Sequence, residues 1–136
     1  MFYNVGNESA PVTYLDIVGM EELLELENVY GNKSFIVSPS AKAILRTTVK
    51  GENANAGFIM QNNEIEGYPV YSSSNVTGKG VVMGNFSDYV IGQWGGIGLT
   101  IDTTSQAIYG KIRLVVNAFF DAKPRREEAF VKKILL

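Results

Sequence analysis

The chain has 136 residues, 46% of them hydrophobic, with four prolines and a formal net charge of −2. That length supports one domain with a modest core, and the composition is that of a folded chain. Having no cysteine and no histidine, it excludes disulfides, thiolate metal sites, and Ser-His-Asp or Cys-His catalysis.

Residues 1–12 read as a lead-in, without the charged region and apolar run of a secretion signal. No segment approaches the roughly 20 apolar residues of a membrane helix. Thr13 with Asp16 three residues later has the pattern of a capping box, opening a helix to about residue 29. Leu15, Val18, Leu23 and Leu26, with Ile17, Met20 and Leu24 beside them, mark its apolar stripe. Gly19 weakens it by about 1 kcal/mol relative to alanine, and Gly31-Asn32 is expected to end it. Residues 35–37 form a short buried strand. Ser38 before Pro39 reads as a cap and a first-turn proline, launching a helix to about Thr47. Residues 50–56 are a loop by composition. Strands at 58–60 and 68–72 flank the polar turn Gln61-Asn62-Asn63, and a second loop covers 72–80.

The last third reads as strands. Ile97, Leu99 and Ile101 alternate with Gly98, Thr100 and Asp102, the period of a strand with one buried face. Gly95-Gly96 before it predicts a two-residue turn that closes a hairpin with residues 89–94. Ile112, Leu114, Val116, Ala118 and Phe120 alternate with Lys111, Arg113, Val115, Asn117 and Phe119 in a longer strand. Helices come early, strands late, and no linker divides them. The expected class is therefore α+β, a single domain with helices packed on a mostly antiparallel sheet.

Charge is unevenly spread. Residues 1–30 hold six acids and no base, and residues 111–136 hold seven bases against three acids. This predicts either two solvated faces or complementary surfaces between neighbouring copies. Glu21 and Glu25 lie four apart, the spacing of a loose hard-cation site, but a solvated acidic helix face is the expected reading. Thr77-Gly78-Lys79-Gly80 lacks the residues of a P-loop, and Gly92 to Gly98 does not fit G-x-G-x-x-G; both read as turn chemistry. The basic run Lys123-Pro124-Arg125-Arg126 is followed at once by Glu127 and Glu128, a weak footprint for nucleic acid. Trp94, the only tryptophan, is either a lid on the core or an interface anchor, with the core slightly favoured. No catalytic residue, cofactor or metal is expected.

Several short runs occur in a telling order. Gly84-Asn85-Phe86-Ser87 opens a strand, Arg113 lies on a long penultimate strand, and Arg126 with Ala129-Phe130-Val131 forms a closing strand. Upstream stand the acidic helix from Thr13, the Ser34 to Pro39 strand with the Ala43 to Arg46 helix, and Gly67-Tyr68-Pro69-Val70. In order and spacing the chain resembles the C-terminal half of HK97-like major capsid proteins of tailed bacteriophages. The resemblance implies an HK97-like fold fragment, the A domain and part of the P domain. The arm, extended loop and spine helix that precede this part in the family lie outside these residues. It implies a structural subunit, not an enzyme, that self-associates into capsomers and an icosahedral shell in the virion, assembled in the bacterial cytoplasm. Partners would be copies of itself, with scaffold, portal or maturation protease in the full-length context, and neither sequence-specific nucleic acid nor membrane. Subunit contacts are expected at Glu21, Glu22 and Glu25 on the acidic helix, and at Trp94. On the basic side they are expected at Arg113, Lys123, Arg125 and Arg126. Compartment shells of the encapsulin type share the fold and are the nearest alternative, with a small carboxylate-using enzyme far behind.

Overall fold

In a computed structural model, residues 3–4 and 11–135 are described. They form two compact units: one comprises the chain up to Asp88 together with the segment from Pro124, and the other is Tyr89–Lys123. No composition shift in the sequence marks this division.

The first unit is an α+β fold around a six-stranded sheet. In chain order its elements are β1 (Tyr3–Asn4), α1 (Tyr14–Leu26), β2 (Lys33–Val37), α2 (Pro39–Thr47), β3 (Glu64–Ile65), β4 (Tyr68–Ser72), β5 (Gly80–Asn85) and, after the second unit, β8 (Phe130–Ile134). The sheet order is β1-β8-β5-β2-β4-β3. The pairs β8/β5, β5/β2 and β4/β3 are antiparallel, and β1/β8 and β2/β4 are parallel.

Both helices begin as the sequence predicts. The Thr13 hydroxyl accepts from the Asp16 N–H, and the Thr13 N–H donates to the Asp16 carboxylate at 2.9 Å, a reciprocal capping box. The Ser38 hydroxyl accepts from the Ala41 N–H at 3.1 Å, with Pro39 in the first turn of α2. The end of α1 differs from expectation. Asn28, at φ 55°, stops the helix ahead of Gly31. Its N–H donates to the Glu25 carbonyl, and the Val29 N–H to the Leu24 carbonyl, both at 2.9 Å. This is a Schellman closure with asparagine in the left-handed position, and Val29 and Leu24 bury together beside it.

Register aligns the core. Phe35 pairs with Met83 and Met83 with Val131, while Val37 pairs with Val81 and Val81 with Lys133. These rows face α1, which buries Ile17, Met20 and Leu24. Residues 58–60, expected as a strand, make only an isolated bridge, Val49 to Phe58. Ile59 and Met60 are buried all the same, because the Met60 N–H bonds to the end of α2 at the Leu45 carbonyl. The Gly84-Asn85-Phe86-Ser87 run does not open a strand: β5 ends at Asn85 and a 3₁₀ turn covers Phe86–Asp88.

The second unit is a two-stranded hairpin of β6 (Tyr89–Asp102) and β7 (Arg113–Pro124). Gly92 lies beside the Asp121 carbonyl and Gly98 beside that of Asn117, so the strands run antiparallel. The predicted turn at Gly95-Gly96 is absent. Gly95 does take a positive φ of 69°, but β6 runs straight through it as fourteen residues, and the reversal comes in residues 103–112. There the Asp102 carboxylate accepts from the N–H groups of Thr104 and Ser105 and from the Ser105 hydroxyl. The expected buried face of β6 is also absent. Ile97, Leu99 and Ile101 are 65%, 59% and 61% exposed. Trp94, favoured as a core lid, is 56% exposed.

Candidate assembly surfaces

The sequence motifs of the first unit turn out to hold the fold together at one joint. Gly84 pairs with Phe130 across β5 and β8. A Cβ at Gly84 would stand 2.5 Å from both the Ala129 carbonyl oxygen and the Phe130 ring, so only glycine fits without a shift. Phe86 then packs edge-on against Phe130 with centroids 5.3 Å apart. Asn85 is buried, and its amide donates to the Tyr30 carbonyl at 3.0 Å and the Asp88 carboxylate at 3.4 Å, while its oxygen accepts from the Ser87 N–H. The Arg125 N–H closes the joint on the Asp88 carbonyl at 2.7 Å.

The acidic helix and the basic tail meet within the unit. Arg126 donates from Nη2 to the Glu27 carbonyl at 3.0 Å. Because α1 has no base in its own last turn, this guanidinium supplies the positive charge that its C-terminus favours, from 99 residues away. Lys133, buried on β8, pairs with Asp16 at 2.6 Å. Burial of the Asp16 carboxyl works to raise its pKa, but Lys133 and the Thr13 N–H and hydroxyl outweigh it and hold the group below its ordinary value.

Two of the three glutamates expected at subunit contacts are engaged inside the chain. Glu21 accepts from the Tyr68 hydroxyl; this bond, then burial, pushes the phenol up to about 12. Glu25 pairs with the buried Lys33 at 3.5 Å, and Lys33 lies 5.9 Å from the Tyr68 ring centroid. Glu22 is exposed, as is Arg125. A polar cleft of about 360 Å³ is lined in part by Glu64 and Glu66, with Glu66 ion-paired to Lys50. That pairing holds the Glu66 carboxyl below its ordinary value.

The hairpin carries the remaining expected residues, Trp94, Arg113 and Lys123, all exposed. Its dominant feature is apolar. Besides Ile97, Leu99 and Ile101, β7 exposes Leu114, Val116, Phe119 and Phe120 at 58–63%. Phe119 and Phe120 are consecutive in a strand, so both faces present a phenylalanine. Covering the three β6 side chains alone would gain on the order of 3–5 kcal/mol. That is a large fraction of the whole stability of a modest domain. Sequence alternation marks these side chains as one face of a strand, but predicts that face to be buried, whereas they are exposed.

The profile of the Phage capsid family matches residues 3–133. The major capsid protein of Halomonas phage phiHAP-1 is 25% identical over 147 residues, covering 94% of this chain and 24% of that protein. Among solved structures, one from Mycobacterium phage Che8 superposes with a TM-score of 0.69 at 14% identity, over 97% of this chain and 53% of the other. The capsid of an empty GTA particle gives 0.68 at 14% identity, over 97% and 48%. The chain thus spans about a quarter of the curated relative and about half of these solved chains. Fold, motif order and profile agree: this chain belongs to the phage capsid family.

Proposed function

We propose that this chain is a structural part of a phage or prophage capsid subunit, corresponding to the A domain and part of the P domain, and that it catalyses no reaction. It self-associates into capsomers and an icosahedral shell of the virion, assembled in the host cytoplasm. Scaffold, portal or maturation protease engage the full-length polypeptide. The observation that carries this reading is the hairpin. Two strands alone are marginal in water, and an apolar surface of this extent marks a face that another polypeptide segment covers. Heterologous contacts repeated by symmetry place function in such surfaces. Glu22, Trp94, Arg113, Lys123 and Arg125 are the charged and aromatic contacts, while Glu21, Glu25 and Arg126 serve mainly the subunit's own fold. A compartment shell shares the architecture, but the family match and the curated relative favour the phage reading.

Expression of the full polypeptide that carries this chain, followed by electron microscopy, tests the proposal. Uniform closed particles are expected. Replacing Ile97, Leu99 and Ile101 together with threonine should abolish them while leaving the circular dichroism of the first unit intact. A soluble, folded full polypeptide that forms no particle under any condition would refute the reading.

A further inference from the structure

At the end of α2 the fold builds a small hollow with an arginine in its wall. The Met60 N–H bonds to the Leu45 carbonyl at 3.1 Å and the Ile59 N–H to the Thr48 carbonyl at 2.9 Å. These bonds fasten the segment ahead of the Gln61-Asn62-Asn63 turn to the last turn of the helix, where Arg46 stands. Arg46, Asn62 and Asn63, with the buried Met60, thus come to line one hollow of about 210 Å³. Gln61 and Glu64 exchange both backbone bonds, at 3.1 and 2.8 Å, while Asn62 and Asn63 take φ of 50° and 61°. That tight turn requires two left-handed residues, a conformation asparagine tolerates. The walls are therefore held in place by the fold itself.

The donors around this hollow are unspent. Among the described residues, the Arg46 guanidinium meets no carboxylate, and neither asparagine donates from its backbone N–H or its side-chain amide. Only the Asn63 carbonyl is engaged, by the Val70 N–H. Glu64 and Glu66 line the separate cleft with Lys50, so among the described residues the hollow's one formal charge is positive. A carboxylate has two oxygens, and a guanidinium fork takes both, leaving the two amides unmet. A phosphate group has three strong acceptor oxygens, enough for the guanidinium and both amides together. We propose that this hollow binds a phosphate group, either free inorganic phosphate or a phosphodiester of nucleic acid. The second source rests on the capsid reading, in which the shell encloses nucleic acid. Such a contact is to the backbone and carries no sequence preference.

Nuclear magnetic resonance of the isotope-labelled 136-residue chain tests it, with sodium phosphate titrated against sodium chloride at constant ionic strength. The Arg46 Nε–H and the backbone and side-chain amides of Asn62 and Asn63 are expected to shift saturably with phosphate. Arg46→Gln should weaken binding by about tenfold or more. Asn63→Gly keeps the left-handed backbone, removes one amide, and should weaken binding by about threefold. It serves as the decisive variant if Arg46→Gln disturbs the fold. In a second arm, a short DNA duplex replaces phosphate. Shifts at the same signals, with a salt dependence shallower by about one in Arg46→Gln, assign the phosphodiester. A silent duplex beside saturable phosphate binding assigns free phosphate. Shifts that do not saturate, that sodium acetate reproduces, or that survive both substitutions overturn the proposal. If the full polypeptide forms shells while phosphate leaves these signals unmoved, the site falls and the capsid reading stands.

Discussion

The ion pair between Asp16 and Lys133 predicts a lopsided response to mutation. The Lys133 side chain is 4% exposed and the Asp16 side chain 23%. Removing the carboxylate strands a buried ammonium, whereas removing the ammonium leaves a carboxylate that still reaches water and keeps its bonds to Thr13. Asp16→Asn should therefore destabilise by about 3–5 kcal/mol, the usual range for breaking a buried pair. Lys133→Met, which preserves the apolar stem in a buried slot, should cost about 1 kcal/mol or less. The double variant should recover most of the Asp16→Asn loss, since no buried charge then remains. Urea unfolding followed by far-ultraviolet circular dichroism measures all three, provided the slopes agree. The pH dependence has a definite sign. The folded pKa of Asp16 is depressed, so its contribution is complete above the ordinary aspartate value and disappears as pH falls through the folded one. Asp16→Asn should flatten that acid limb. A Lys133→Met variant less stable than Asp16→Asn would refute the reasoning.

Three further outcomes follow from the joint and its neighbours. Gly84→Ala should destabilise by at least about 1–3 kcal/mol in the same assay, because the new methyl meets backbone as well as a ring. Arg126→Ala should cost about 1–2 kcal/mol and speed hydrogen exchange at Asn28 and Val29, where α1 closes. Tyr68 should remain protonated until about pH 12, so subtracting the ultraviolet titration of Tyr68→Phe from that of the wild type isolates one late-ionising phenol. Its raised pKa stabilises the fold fully below the ordinary tyrosine value, and that contribution fades as pH climbs through the folded one.

What the sequence revealed depended on how local the signal was. The caps at Thr13 and Ser38 are decided within four residues by side-chain geometry, and both are found. Asn28 carries the weaker stop signal, because glycine is the usual left-handed residue and Gly31 stands close by. Gly95-Gly96 has the same signature in a turn as inside a strand that accommodates one left-handed residue, so local composition points to a reversal one segment ahead of the real one. Residues 58–60 are apolar because Ile59 and Met60 are buried, which periodicity over three residues cannot separate from pairing. Partnerships across long separations were not legible. Nothing in the sequence tells that Arg126 closes the helix at Glu27, or that Lys133 descends onto Asp16. The charge asymmetry between the two ends was real, and the fold uses part of it internally.

On the capsid reading proposed above, the open apolar faces of residues 89–123 are covered by other polypeptide in the assembled shell. A cryo-electron microscopy map of particles formed by the full polypeptide tests this directly. Ile97, Leu99, Ile101 and at least one of Phe119 and Phe120 are expected to lie against another polypeptide segment. A map in which those side chains still face solvent would contradict it.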